Sequence, residues 1–102
     1  MAEQPGWIES DDGSTSIATA TKTAEVNKQH IVHSVDASAV GAAEVLLLQI
    51  KDGTTVVWQG HVHQQRNIPF PKGITITRGA ACSAVLAAGA GVTYVNLHGT
   101  TR

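Results

Sequence analysis

The stretch GHVHQQ, residues 60 to 65, sets His61 and His63 two residues apart. On a strand, that spacing sends both imidazoles to one side, with Cα atoms about 6.5 Å apart. Two neutral imidazoles so placed can meet one metal ion. A catalytic zinc asks for three protein ligands and for partners that orient them. The other histidines, His30, His33 and His98, lie in separate segments, and nothing in their spacing brings them to the pair. The pair therefore reads as solvated or subunit-interface histidines, with no metal expected within one chain. In a trimer, one such strand per chain would place six nitrogens around the three-fold axis, an octahedral set suited to iron or nickel. If the pair lines a subunit contact, assembly should weaken as pH falls toward about 6.5, where an imidazole ordinarily charges.

Other reactive residue types give less. Cys82 sits in GAACSAV, a run of small residues with no adjacent base and no helix start to make a thiolate. It is expected to be an inert, buried thiol. Asp36, Glu44 and Asp52 can supply carboxylates, but hydrolase carboxylates must converge in a cleft. The aromatic residues, Trp7, Trp58, Phe70 and Tyr94, are few for lining one. There is no GxSxG, no P-loop and no glycine-rich turn opening a helix. No catalytic constellation and no cofactor are expected.

The elements that would position these residues read as β. Thr15 to Thr23 is a threonine-rich strand, and Gln29 to Ala37 alternates, with Ile31, His33 and Val35 on one face. Glu44 to Lys51 is more continuously apolar, as in a central strand. A helix over Ala37 to Lys51 is the rival reading, disfavoured by flanking β-branched and turn residues. Asp52-Gly53 between apolar runs signals a hairpin of type I′. In the strand that follows, Thr54, Val56, Trp58 and Val62 share one face, and Thr55, Val57, Gln59, His61 and His63 the other. On that pattern Trp58 belongs to the core. The two prolines around Phe70 in NIPFPKG place that segment at a sheet edge or at a crossing between sheets. Gly73 to Arg78, Ala81 to Ala87 and Val92 to His98 complete the series. Seven or eight short antiparallel strands with regular turn signals predict an all-β fold, a single small β-sandwich or jelly-roll-like barrel. The βαβ alternation of a parallel α/β sheet is missing.

Bulk composition narrows the partners. The chain has 102 residues, which suits one domain, and a net charge of −1 with the basic residues scattered singly. No basic stripe is available to follow a phosphate backbone, so nucleic acid is not an expected partner. Charged residues make up 15 % of the chain. That is below the usual quarter or so, and suggests a surface partly covered by a partner. The N-terminus, MAEQPGWIESDDGS, has no secretory-signal pattern, and no apolar run approaches the roughly 20 residues of a membrane span. A soluble protein made in the cytoplasm, with no membrane partner, is expected. Residues 1 to 14 read as a flexible N-terminal arm and residues 15 to 102 as the β domain. Trp7 and Ile8 on that arm either fold back to cap the domain or anchor onto a neighbouring subunit.

The run DGTTVVW…NIPFPKGITITRG…VTYVNL resembles small β-sandwich structural proteins of tailed bacteriophages. The matching pieces are Thr19 to Thr23, His33 to Ser38, Lys51 to Trp58, Ile68 to Gly73 and Val92 to Leu97. The resemblance implies a non-enzymatic virion component of the capsid decoration, or cement, type. Such a protein would be made in the host cytoplasm, would bind the outer capsid surface, most often as a homotrimer, and would bridge neighbouring major capsid subunits. Trp7 and Ile8 would then be the apolar anchors of the capsid-binding arm. Two other readings compete. A head-fibre or tail module that binds host-surface glycans needs exposed aromatic side chains to stack on sugar rings, and few are available, with Trp58 expected in the core. A small metalloenzyme would have to be built from the histidines.

Overall fold

A computed structural model describes residues 6–40, 45–89 and 91–102. Met1 to Pro5 and Glu44 lie outside the described residues, as does part of the alternative helix over Ala37 to Lys51. Eight strands form: β1 (Trp7–Ser14), β2 (Ala18–Lys22), β3 (His30–Val40), β4 (Leu46–Asp52), β5 (Thr55–Val62), β6 (Gln65–Thr75), β7 (Cys82–Leu86) and β8 (Val92–Thr101). They make two four-stranded antiparallel sheets, in the orders β1-β8-β3-β6 and β2-β7-β4-β5. The fold is the all-β sandwich that the strand spacing predicts.

The pairing is nested. First pairs with eighth, second with seventh, third with sixth and fourth with fifth, so the chain is one long ribbon folded at the β4–β5 turn and then wound up. Between the sheets lie the inward side chains. Val32, Val35 and Ala37 of β3 and Val95 and Leu97 of β8 meet Leu48 and Ile50 of β4 and Ala84 and Leu86 of β7. Trp58 is half-buried and packs against this core, edge-to-face with Phe70 at a centroid distance of 5.4 Å. The pair closes the side of the sandwich where the edge strands β5 and β6 run. As the prolines imply, β6 is an edge strand.

Four local features differ from the sequence reading. The first is the arm. Residues 7 to 14 were expected to be flexible, yet they form β1, paired along β8 from Trp7↔Gly99 to Ser14↔Val92. An edge strand can leave most of its side chains in solvent, which is why its acidic composition is compatible with a ladder. Trp7 supplies its apolar anchor. Its indole lies edge-on to the buried His30 ring, at 5.9 Å and 79°.

The second is the hairpin. Asp52 pairs with Thr55, so the central residues are Gly53 and Thr54. Gly53 has φ +60° and Thr54 is not in the left-handed region. That is the pattern of a type II′ turn with glycine first, not of type I′. Asp52 is instead the last residue of β4, and its carboxylate accepts from Thr77 N (3.0 Å) and Thr77 Oγ1 (2.7 Å).

The third and fourth are bulges, which reverse side-chain parity. The register of β3 slips between Val32 and Ser34. Val32 and Val35 are therefore both buried, whereas His33 is exposed and does not share a face with Val35. The register of β4 and β5 slips between Ile50 and Lys51, leaving Val57 as the extra residue. Val56 then stands opposite Lys51 and is exposed, not on the inward face of Trp58 and Val62.

Candidate functional site

The outer face of the β1-β8-β3-β6 sheet carries a set of hydrogen-bonded polar side chains. Its registers align residues in rows that cross all four strands. One row is Ser10–Asn96–Asp36–Asn67, and the next is Asp12–Tyr94–Ser38–Gln65. The first row is tied in two pairs. Ser10 Oγ donates to Asn96 Oδ1 at 2.6 Å, and Asn67 Nδ2 donates to Asp36 Oδ1. His98 Nε2 lies 3.0 Å from Asp36 Oδ2; because a carboxylate only accepts, the ring nitrogen is the donor. Both oxygens of Asp36 are thus engaged. Tyr94 stands out of the second row with 44 % of its surface exposed. Shallow depressions of about 340 and 460 Å³ flank it, and both are lined by Ser38, Tyr94 and Asn96.

A second polar network is internal. His30 is fully buried, with Nε2 2.8 Å from the Thr23 carbonyl and Nδ1 2.7 Å from Thr101 Oγ1. A carbonyl accepts only, so Nε2 carries the proton and Nδ1 takes the Thr101 hydroxyl proton. Trp7 Nε1 then donates to Thr101 Oγ1 at 2.9 Å. Every buried donor and acceptor in the chain Trp7–Thr101–His30–Thr23 has a partner. The network is a structural clasp, with all its partners internal.

The histidine pair is placed differently. His61 is exposed on the edge strand β5, opposite Leu47, and His63 is exposed in the bend that follows. The His61 carbonyl accepts from Arg66 Nη1 at 2.9 Å. His30, His33 and His98 all belong to the other sheet. Among the described residues, no three His, Cys, Asp or Glu side chains gather at one point. Of the two arm residues, Trp7 is fixed in the clasp and Ile8 is turned outward, 63 % exposed.

Cys82 is buried on β7 at the inner face. Burial pushes its thiol up to about 12, and the nearby Asp52 carboxylate adds to the rise, against a smaller opposing pull from Lys22. A thiol so held stays protonated and is a poor nucleophile.

No family model matches the chain, and no curated protein matches it. The fold does have a solved counterpart. A chain in the acidic stable capsid structure of Helicobacter pylori bacteriophage KHP30 superposes with a TM-score of 0.60 at 12 % identity, covering 99 % of this chain and 90 % of that one. The insecticidal delta-endotoxin Cry8Ea1 of Bacillus thuringiensis gives a TM-score of 0.47 at 12 % identity; the match covers 89 % of this chain and 18 % of the toxin. At 12 % identity the likeness to the capsid chain is one of fold.

The sequence names Tyr94 among the aromatic residues and Asp36 among the carboxylates, but nothing in it brings them together. The alternation in VTYVNLH puts Tyr94, Asn96 and His98 on one side of β8. That signal was available, but it does not say which side faces water.

Proposed function

We propose that this protein is a non-enzymatic structural component of a phage virion, of the decoration type, which binds the outer capsid surface and bridges neighbouring major capsid subunits. The observation that carries the reading is the near end-to-end likeness, on both chains, to a chain of a phage capsid structure. The winding of the sheets supports it. We read the nested pairing of eight strands, in the orders β1-β8-β3-β6 and β2-β7-β4-β5, as a jelly-roll winding, a fold recurrent in viral capsid domains. Clasped at Trp7 and fastened along β8, β1 is a rigid edge that presents Ile8 to a partner. Copies of the protein acting together as a homotrimer would raise the effective concentration of each weak contact.

The test is direct. The purified protein is weighed in solution and then mixed with bare capsids of the phage that encodes it. A trimer that co-sediments with capsids and raises their resistance to heat supports the reading. Failure to co-sediment at any concentration overturns it.

A further inference from the structure

We propose that the outer face of the β1-β8-β3-β6 sheet is a binding site for a neutral oligosaccharide, with a sugar ring stacked on Tyr94 and its hydroxyls held by Ser38, Asn96 and Asn67. The site does not rest on the capsid reading, although Ile8, opposite His98, stands on the same face of the sheet.

The chemistry of the lining selects the ligand. Tyr94 offers an exposed ring and a phenolic hydroxyl between two depressions, the arrangement needed to cover the C–H face of a pyranose. Around it the side chains are planar amides and hydroxyls, which both donate and accept, as vicinal sugar hydroxyls do. The hydrogen bonds within the row fix which groups point out. Ser10 occupies Asn96 Oδ1, so the Asn96 amide N–H groups remain to donate. Asn67 spends one N–H on Asp36 and keeps its carbonyl oxygen to accept. Such a surface is already ordered, so a ligand meets little entropic cost in organising it.

Charge argues against other ligands. The two depressions hold Asp11, Asp12 and Asp36 against a single cation, Arg66, which repels anionic groups such as sialic acid or phosphate. A basic peptide would need free carboxylates. Asp36 is held by Asn67 and His98, and Asp11 Oδ2 accepts from Thr19 N at 2.8 Å, which leaves Asp12 alone, too few for a polycationic partner. A neutral polyol fits both constraints.

The experiment uses the whole chain. Immobilised neutral and sialylated oligosaccharides are screened, and the best neutral binder is then titrated into ¹⁵N-labelled protein. The expected result is amide shifts centred on Tyr94, Asn96, Ser38 and Asn67, a loss of affinity of at least about tenfold in Tyr94→Ala, and retention in Tyr94→Phe, which keeps the ring. Tyr94 is surface-exposed, so Tyr94→Ala should keep the wild-type melting temperature, which is checked in parallel. Absence of any neutral binder, shifts on another surface, a preference for sialylated glycans, or full binding by Tyr94→Ala would each overturn the site. Capsid co-sedimentation of the same variants is measured separately, so that failure of the sugar site and failure of the capsid reading are told apart.

Discussion

Trp7 and His30, at the start of β1 and the start of β3, share one hydroxyl: Thr101 Oγ1 takes the indole proton at 2.9 Å and gives its own to the imidazole at 2.7 Å. Removing that hydroxyl while keeping its shape, in Thr101→Val, leaves a buried N–H and a buried ring nitrogen without partners. The expected cost is about 1–3 kcal/mol of stability. Urea unfolding followed by tryptophan fluorescence measures it, and a midpoint equal to wild type would show that water replaces the hydroxyl.

Gly99 lies beneath the same indole. A Cβ there would collide with the Trp7 ring and with the Ile31 carbonyl. Gly99→Ala should therefore cost about 1–3 kcal/mol, the range for overpacking a tight site. At Gly53 the surroundings are open and only the positive φ resists a side chain. Thermal melts of the two alanine variants should place Gly99→Ala lower.

Cys82 gives a pH dependence with a definite sign. Its folded thiol is raised to about 12 from an ordinary value of 9.0, so the folded state disfavours the thiolate. The contribution to stability is fully present below pH 9.0 and is lost as pH rises through the window from 9.0 to about 12. Stability of the wild type should fall more steeply across that window than stability of Cys82→Ala. Native Cys82 should also react with a thiol reagent at pH 8 only at the rate of unfolding. Fast labelling of the folded protein would contradict both statements.

Ile8 tests the capsid reading at a single position. Its side chain is exposed on an edge strand, so Ile8→Asp should leave the melting temperature unchanged and weaken capsid co-sedimentation severalfold. Normal co-sedimentation of this variant would move the contact to another surface.

The sequence was most informative where a physical rule has one outcome. Two prolines around Phe70 cannot lie in a central strand, and β6 is an edge. Glycine between the apolar runs at 46–50 and 55–58 marks a hairpin, and one is there. It was least informative where one inserted residue changes every later side chain. The bulges at His33 and Val57 leave no mark in composition, yet they decide that His33 and Val56 face water. Trp7–Ser14 looked unstructured because an edge strand is judged by its ladder, not by its own hydrophobicity. The grouping around Tyr94 was missed for a related reason. Alternation tells which residues share a face, and only the packing of the second sheet tells which face is dry.

The nested pairing also bears on how the molecule is made. Every strand pair joins one of β1 to β4 with one of β5 to β8, and the first four strands pair with none of each other. A ribosome that has released only residues 1 to 52 has therefore delivered no complete native pair. Order can begin only when the Gly53 turn and β5 emerge, and it then spreads outward from the middle of the chain toward both ends. The strand exposed longest without its partner is β1, and its charges, Glu9, Asp11 and Asp12, keep it soluble while it waits for β8.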